Sequence, residues 1–261
     1  MDCRIKRGGQ RGRLQKFLFT TEQSDMTKTE RVLVVPDLHA PAIHPKAFDF
    51  VRQIQDDWQT DRTVFLGDAM DLHAMSYHQK ELGTKRIIDE VEEAMEQLRP
   101  FYHHFNKGKV DFLVGNHDDL ICRKAVDAEI PCEWLKPIKD IFGFPPNWDV
   151  TERYGTVLID GVAYRHGDAG AGGQTPALSQ AKQAMRSTVI GHFHAAFGVS
   201  WYACDAMRIF GMSAGSLCDP THLMQKYGKK YTKRPILGMG VVLDGTHAYC
   251  EVMPNANRGV S

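Results

Sequence analysis

The chain has 261 residues, 43% of them hydrophobic and 25% charged, an ordinary balance for a globular protein with ample core material. Its formal net charge is zero, which excludes a whole-chain electrostatic commitment to nucleic acid or anionic membrane, and no apolar run nears the roughly 20 residues of a membrane span. Six scattered cysteines (Cys3, Cys122, Cys132, Cys204, Cys218, Cys250) without CxxC spacing read as a reduced, cytoplasmic protein, not a disulfide framework.

Residues 1–28 read as a disordered basic tail: Arg4, Lys6, Arg7, Arg11, Arg13 and Lys16 face only Asp2 across the first 16 residues, and "FLF" is too short for a signal peptide. Met26 opens "MTKTERVLVVPD", which looks like a natural start. Residues 29–253 form one domain, followed by a tail at 254–261. Its first half alternates strands "RVLVV" (31–35), "RTVFL" (62–66) and "VDFLV" (110–114) with two amphipathic helices. Phe48, Val51 and Ile54 space the first helix, with Pro45 at its start; Ile87, Ile88, Val91, Met95 and Leu98 share a face of the second. This βαβ alternation predicts a mainly parallel sheet with helices on its faces. Residues 120–150, ending in "FGFPPNWD", read as a helical insertion turning into a proline-rich loop. Beyond it come a hairpin about Asp160–Gly161, a strand "STVIG" (187–191) and a second hairpin about Asp244–Gly245. Together they suggest a mixed sheet facing the first.

Five of these strands end in oxygen or imidazole groups. They are Asp37 and His39; Asp68 and Asp71; Asn116 and His117; His166; and His192 and His194, several beside glycine. Sites in open α/β sheets form at the carboxyl edge of the strands, so these groups should converge. Imidazole with carboxylate and amide oxygen, and no thiolate, suits Mn, Fe or Zn better than a structural zinc finger. Seven ligands drawn from these nine groups exceed one tetrahedral ion and suit two that share a carboxylate.

In this order, D-x-H, G-D-x-x-D, G-N-H-D, H-G and G-H-x-H resemble the calcineurin-like metallophosphoesterase family, over about residues 31–218. The resemblance implies an α/β fold, a four-layer α-β-β-α sandwich of two mixed sheets flanked by helices. It also implies a dinuclear centre of divalent ions, Mn foremost and Fe, Zn or Ni as others. Asp37, His39 and His194 would hold one ion, Asn116, His166 and His192 the other, with Asp68 bridging, and a bridging hydroxide would attack phosphorus in line. His117 would touch the scissile phosphate or protonate the leaving oxygen, oriented by Asp71. In the family's phosphoprotein phosphatases an Arg follows the second Asp of G-D-x-x-D; here Leu72 stands there, which points to phosphodiesters and away from phosphoproteins.

Asp118, Asp119 and Asp168 read as turn and capping residues without chemistry. His73, His222, Lys229 and Lys230 are candidate substrate contacts, the two lysines within "KYGKKYTKR", whose alternating basic and aromatic residues would suit a nucleic-acid strand. "GDAGAGG" (167–173) reads as a flexible connection in preference to a phosphate cradle. The expectation is a cytoplasmic hydrolase acting on a phosphate ester, small nucleotide or nucleic acid. A nuclease of the same family is the alternative, and a non-catalytic metal-binding scaffold the rival from another class.

Overall fold

A computed structural model describes residues 29–77, 83–222 and 234–254. The chain runs β1 (Arg31–Val35), α1 (Ala47–Trp58), β2 (Arg62–Phe65), α2 (Ile87–His104), β3 (Lys109–Leu113), α3 (Leu120–Asp127), α4 (Ile138–Ile141) and β4 (Trp148–Thr151). It continues through β5 (Val157–Ile159), β6 (Val162–Arg165), α5 (Pro176–Ala184), β7 (Thr188–Ile190), β8 (Phe197–Cys204), β9 (Met207–Ala214), β10 (Gly238–Leu243) and β11 (His247–Val252).

Two mixed sheets result. The first has the order β11-β10-β1-β2-β3-β4, with β1 to β4 parallel and β10 antiparallel to β1; the second is β5-β6-β7-β9-β8, with β6, β7 and β9 parallel. The period-2 alternation of β1 explains the layering. Val32 and Val34 pack with Val64, Leu66 and Leu113 against Tyr164, Val189, Phe210 and Met212 of the second sheet. Leu33 and Val35 point the other way, into a larger core with Val51 of α1, Leu98 of α2 and a cluster of Phe112, Phe144 and Trp148. Helix α5 covers β7 and β9 on the far side of the second sheet.

Several sequence expectations need correction. The proline-rich loop of the insertion delivers β4, which extends the first sheet beyond β3 in parallel register. The hairpin β8–β9 was not expected, and the C-terminal hairpin β10–β11 belongs to the first sheet, because β10 pairs with β1. The buried face of α2 is Glu90, Ala94, Leu98 and Phe101, while Ile87 and Ile88 are exposed. Glu90 turns inward because its carboxylate accepts the backbone N–H groups of His73 (2.6 Å) and Ala74 (2.8 Å). Nor are all cysteines reduced. Cys122 of α3 and Cys132 are joined in a disulfide, since the insertion folds back to bring their Cα atoms to 5.6 Å; Cys204, Cys218 and Cys250 are free.

At the end opposite the carboxyl edge, Arg62 donates to both Asp111 oxygens (2.7 and 3.0 Å) and to Glu30 (2.7 Å). No described helix is long and apolar enough to cross a membrane.

Candidate metal centre

The parallel strands of both sheets deliver their carboxyl ends to one seam. The first sheet brings Asp37 and His39 after β1, Asp68 and Asp71 after β2, and Asn116 and His117 after β3. The second brings His166 after β6 and His192 and His194 after β7. Three groupings place their ligand atoms within 4.8 Å of one another: Asp37, His39 and His194; His39, Asp68 and His117; Asp68, His166 and His192. Asp68 belongs to the second and third of these, its Oδ2 lying 3.7 Å from His39 Nε2 and 3.4 Å from His166 Nε2.

The atoms that meet here are acceptors. His166 Nδ1 donates to the carbonyl of Leu66 (2.8 Å), so the Nε2 of a neutral ring carries a lone pair, and it faces Asn116 Oδ1 at 3.0 Å. His39 Nδ1 likewise faces Asp71 Oδ1 (2.8 Å), leaving Nε2 3.1 Å from His194 Nε2, which is itself 3.0 Å from Asp37 Oδ2. Only protons or cations reconcile such pairs. The donor set therefore fits two divalent ions of borderline or hard character.

Among the protein groups alone, protons fill that role. Burial opposes it, yet the charges of Asp68 and Asp37 hold His166 up at about 10, and Asp68 with Asp71 holds His117 at about 9. His194 is raised by its hydrogen bond to Asp37 against the cost of burial; it also meets the buried Cys218 thiol. Burial works against the ionised form of Asp68, but His166, His117 and His39 hold it well below the usual carboxylate range. His192 moves the other way, lowered by burial and by the nearby His166.

The backbone is shaped for this convergence. His39, Asp68 and His192 adopt left-handed φ values of 51°, 50° and 62°, conformations that cost non-glycine residues about 1 kcal/mol or more. A Cβ at Gly115 would lie 2.1 Å from Asp68 Oδ1, and one at Gly191 would lie 2.3 Å from Asp37 Oδ1. Any side chain at either position would displace a carboxylate.

Asp71 serves two imidazoles, with Oδ1 also 3.2 Å from His117 Nδ1, while its backbone carbonyl accepts from the same nitrogen at 2.7 Å. The His117 ring thus turns Nε2 away from Asp71. Asp118 is no mere turn residue. It is fully buried and accepts from the backbone N–H groups of Asp68 (2.7 Å), Gly115 (3.0 Å) and Met70 (3.3 Å), tying the β2 and β3 loops together. Burial and the charge of Asp68 push its carboxyl up to about 7. Asp119 and Asp168 likewise exceed capping: both accept from Arg153, at 2.8 Å each for Nη1 and Nη2.

A cleft of about 400 Å³ opens on the centre, lined by Asn116, His117 and His192 together with Tyr77, Arg123 and Arg153. Sequence reasoning missed Tyr77, Arg123 and Arg153; a basic residue one helical turn beyond "GNHDD" was the available signal. His73, buried behind the loop, and His222 do not line this cleft. Lys229 and Lys230 lie outside the described residues. The 167–173 loop is pinned and not simply a flexible link, since buried Gln180 donates to Gly167 O (2.8 Å) and Ala171 O (3.4 Å).

The family model described as calcineurin-like phosphoesterase matches residues 30–217. Among solved structures, the phosphoesterase YfcE from E. coli shares 18% identity at a TM-score of 0.39, covering 81% of this chain and 87% of that one. A single mutant of Vps29 from Entamoeba histolytica shares 12% at 0.38, covering 85% and 98%. The nuclease MPE from Pseudomonas putida shares 12% at 0.36, covering 82% and 84%. No curated protein matches the chain.

Proposed function

Because the chain belongs to the calcineurin-like phosphoesterase family, we propose that it hydrolyses phosphodiesters in preference to monoesters, at a dinuclear centre in the seam between its sheets. The observation that carries the dinuclear centre is Asp68 Oδ2 at 3.7 Å from His39 Nε2 and 3.4 Å from His166 Nε2, where one carboxylate can serve two ions. Asp37, His39 and His194 would hold one ion and Asn116, His166 and His192 the other, manganese being the first choice for such a donor set. When bound, the ions supply positive charge for the reacting phosphate and lower the pKa of the attacking water.

The chain's own groups do the rest. Asp71 aligns His39 toward the centre and holds His117 by Nδ1, which leaves His117 Nε2 to contact a phosphate oxygen or protonate the departing alkoxide. Asp118 fixes the backbone on both sides of Asp68, so the bridging carboxylate is positioned before substrate arrives. Leu72, 1% exposed, offers no guanidinium for a monoester dianion, which supports the diester preference. A cytoplasmic setting remains part of this reading, with the Cys122–Cys132 disulfide as the feature that a reducing compartment would oppose.

The test is hydrolysis of p-nitrophenyl phosphate and bis-p-nitrophenyl phosphate by manganese-loaded protein. The diester should be turned over with a kcat/KM at least tenfold higher, and Asp68→Ala should abolish both activities. A preference for the monoester would overturn the diester reading. Two ions bound by calorimetry with neither ester cleaved would instead establish a metal-binding scaffold.

A further inference from the structure

We infer that Arg123 binds a second phosphate of the substrate, next to the one being hydrolysed, so that this centre prefers a phosphodiester within a chain of phosphates over an isolated diester. The inference rests on the diester reading above and extends it to the substrate's neighbouring group.

Two guanidinium groups line the cleft, and their partners differ. Arg153 is committed. Its Nε and Nη2 donate to Asp168 (3.0 and 2.8 Å), its Nη1 donates to Asp119 (2.8 Å), and its face lies 4.5 Å from the Tyr154 ring. Arg123 has no carboxylate partner among the described residues. One nitrogen lies 3.5 Å from the carbonyl of Asn116, a distance at which little hydrogen bonding remains, and its Cζ sits 4.8 Å over the ring of Tyr77. Tyr77 is itself pinned, its hydroxyl donating to Asp127 (2.5 Å) and its ring lying 3.5 Å from Lys124 Nζ. The tyrosine thus fixes the guanidinium plane by cation–π contact while leaving its fork of N–H donors without a carboxylate partner among the described residues.

Arg123 sits in the first turns of α3, against the backbone of Asn116, whose side-chain amide faces the centre. It is therefore beside the reacting phosphorus and not on it. An arginine held one residue from a centre, facing an open cleft, presents a planar fork that matches an anion with two oxygens to offer, and phosphate is the anion that accompanies a phosphodiester along an oligonucleotide. Leu120, at the start of α3, adds an apolar wall to the same cleft. A leaving group without a phosphate, such as p-nitrophenolate, would leave Arg123 unused.

The experiment uses full-length, manganese-loaded protein and four thymidine substrates: TpT, the same dinucleotide with a terminal 5′-phosphate (pTpT) or 3′-phosphate (TpTp), and the trinucleotide TpTpT. The two terminal phosphates test opposite sides of the scissile bond, and the trinucleotide tests an internal phosphate. At least one phosphate-bearing substrate should show a kcat/KM about tenfold or more above TpT, the worth of one charge-assisted contact at a partly exposed site. Arg123→Ala should bring that ratio close to one. Arg123→Lys should retain part of it, because charge remains while the fork is lost. Arg123→Gln, which keeps part of the stem and a polar end without the charge, gives the same reading if the alanine variant does not fold. Bis-p-nitrophenyl phosphate separates the two claims. If it is cleaved while the added phosphates bring no advantage, or if the advantage survives in both Arg123→Ala and Arg123→Gln, the role of Arg123 is overturned and the diester reading stands. If bis-p-nitrophenyl phosphate and all four thymidine substrates resist hydrolysis, both claims fall.

Discussion

Replacing Asp71 by Asn probes how the centre is held. The substitution keeps volume and one acceptor oxygen but removes the negative charge that His39 (2.8 Å) and His117 (3.2 Å) share. The second Asp71 oxygen, Oδ2, is buried with no hydrogen-bond partner among the described residues, so the amide nitrogen can take its place without breaking a bond. A hydrogen bond to a charged group contributes roughly 1 kcal/mol more than a neutral one. Only the contact to His39 reaches a metal ligand, and losing the partner that orients a metal-bound imidazole costs roughly 10- to 100-fold, so affinity for the ion that uses His39 should fall about thirtyfold, or about 2 kcal/mol. Calorimetric titration of manganese into chelator-stripped protein measures it directly. One of the two sites should weaken by about thirtyfold while the other changes less than threefold. Turnover of TpT should fall further than that of bis-p-nitrophenyl phosphate, because an alkoxide needs a proton from His117 and p-nitrophenolate does not. Equal weakening at both sites, or none, would refute the assignment of Asp71 to His39.

Asp118→Ala should lower unfolding stability by about 3 kcal/mol at pH 6, since it strands buried backbone N–H groups of Asp68 and Gly115; urea denaturation at that pH measures the loss. Arg62→Ala leaves Asp111, 6% exposed, without its main partner, and should cost about 3 kcal/mol while manganese affinity stays at the wild-type value. In chelator-stripped protein the folded-state pKa values of His117 (about 9) and His166 (about 10) lie above the ordinary 6.5. Their contribution to stability is thus fully present below pH 6.5 and lost as pH rises through 9 to 10. Melting temperature in excess chelator should fall across that window, and a flat profile would contradict the acceptor crowding described for this centre.

The parallel half of the fold was legible because β-branched runs at strand length alternate with helical periodicity, and the strand ends were legible because glycine and turn-forming polar residues mark them. The failures share a cause: they depend on partners distant in sequence. Nothing in "MGVVLDGTHAYCEVM" says which sheet it joins; that is decided by β10 lying against β1. The turn between β8 and β9 is Asp205–Ala206, without the glycine that announces a hairpin. In α2 the apolar pattern placed Ile87 and Ile88 inward, but Glu90 was claimed by two backbone N–H groups of the His73 turn, and the buried face rotated to follow it. At the centre, residue types and order were enough to nominate the convergent groups. Asp118 escaped because its work is done on backbone atoms some 50 residues away. Arg123 escaped because a basic residue one turn beyond "GNHDD" is a weak mark until its neighbours are placed.

The seam between the sheets gives the centre a mechanical role. Asp37, His39, Asp68 and Asn116 belong to one sheet and His166, His192 and His194 to the other, joined directly by the His192 backbone N–H on Asp37 (3.0 Å). Ions held there would rivet one half of the molecule to the other, and the docking of the halves would depend logarithmically on free metal concentration. Scarcity of metal would then loosen the molecule as well as silence it, starting along the edge where its chemistry resides.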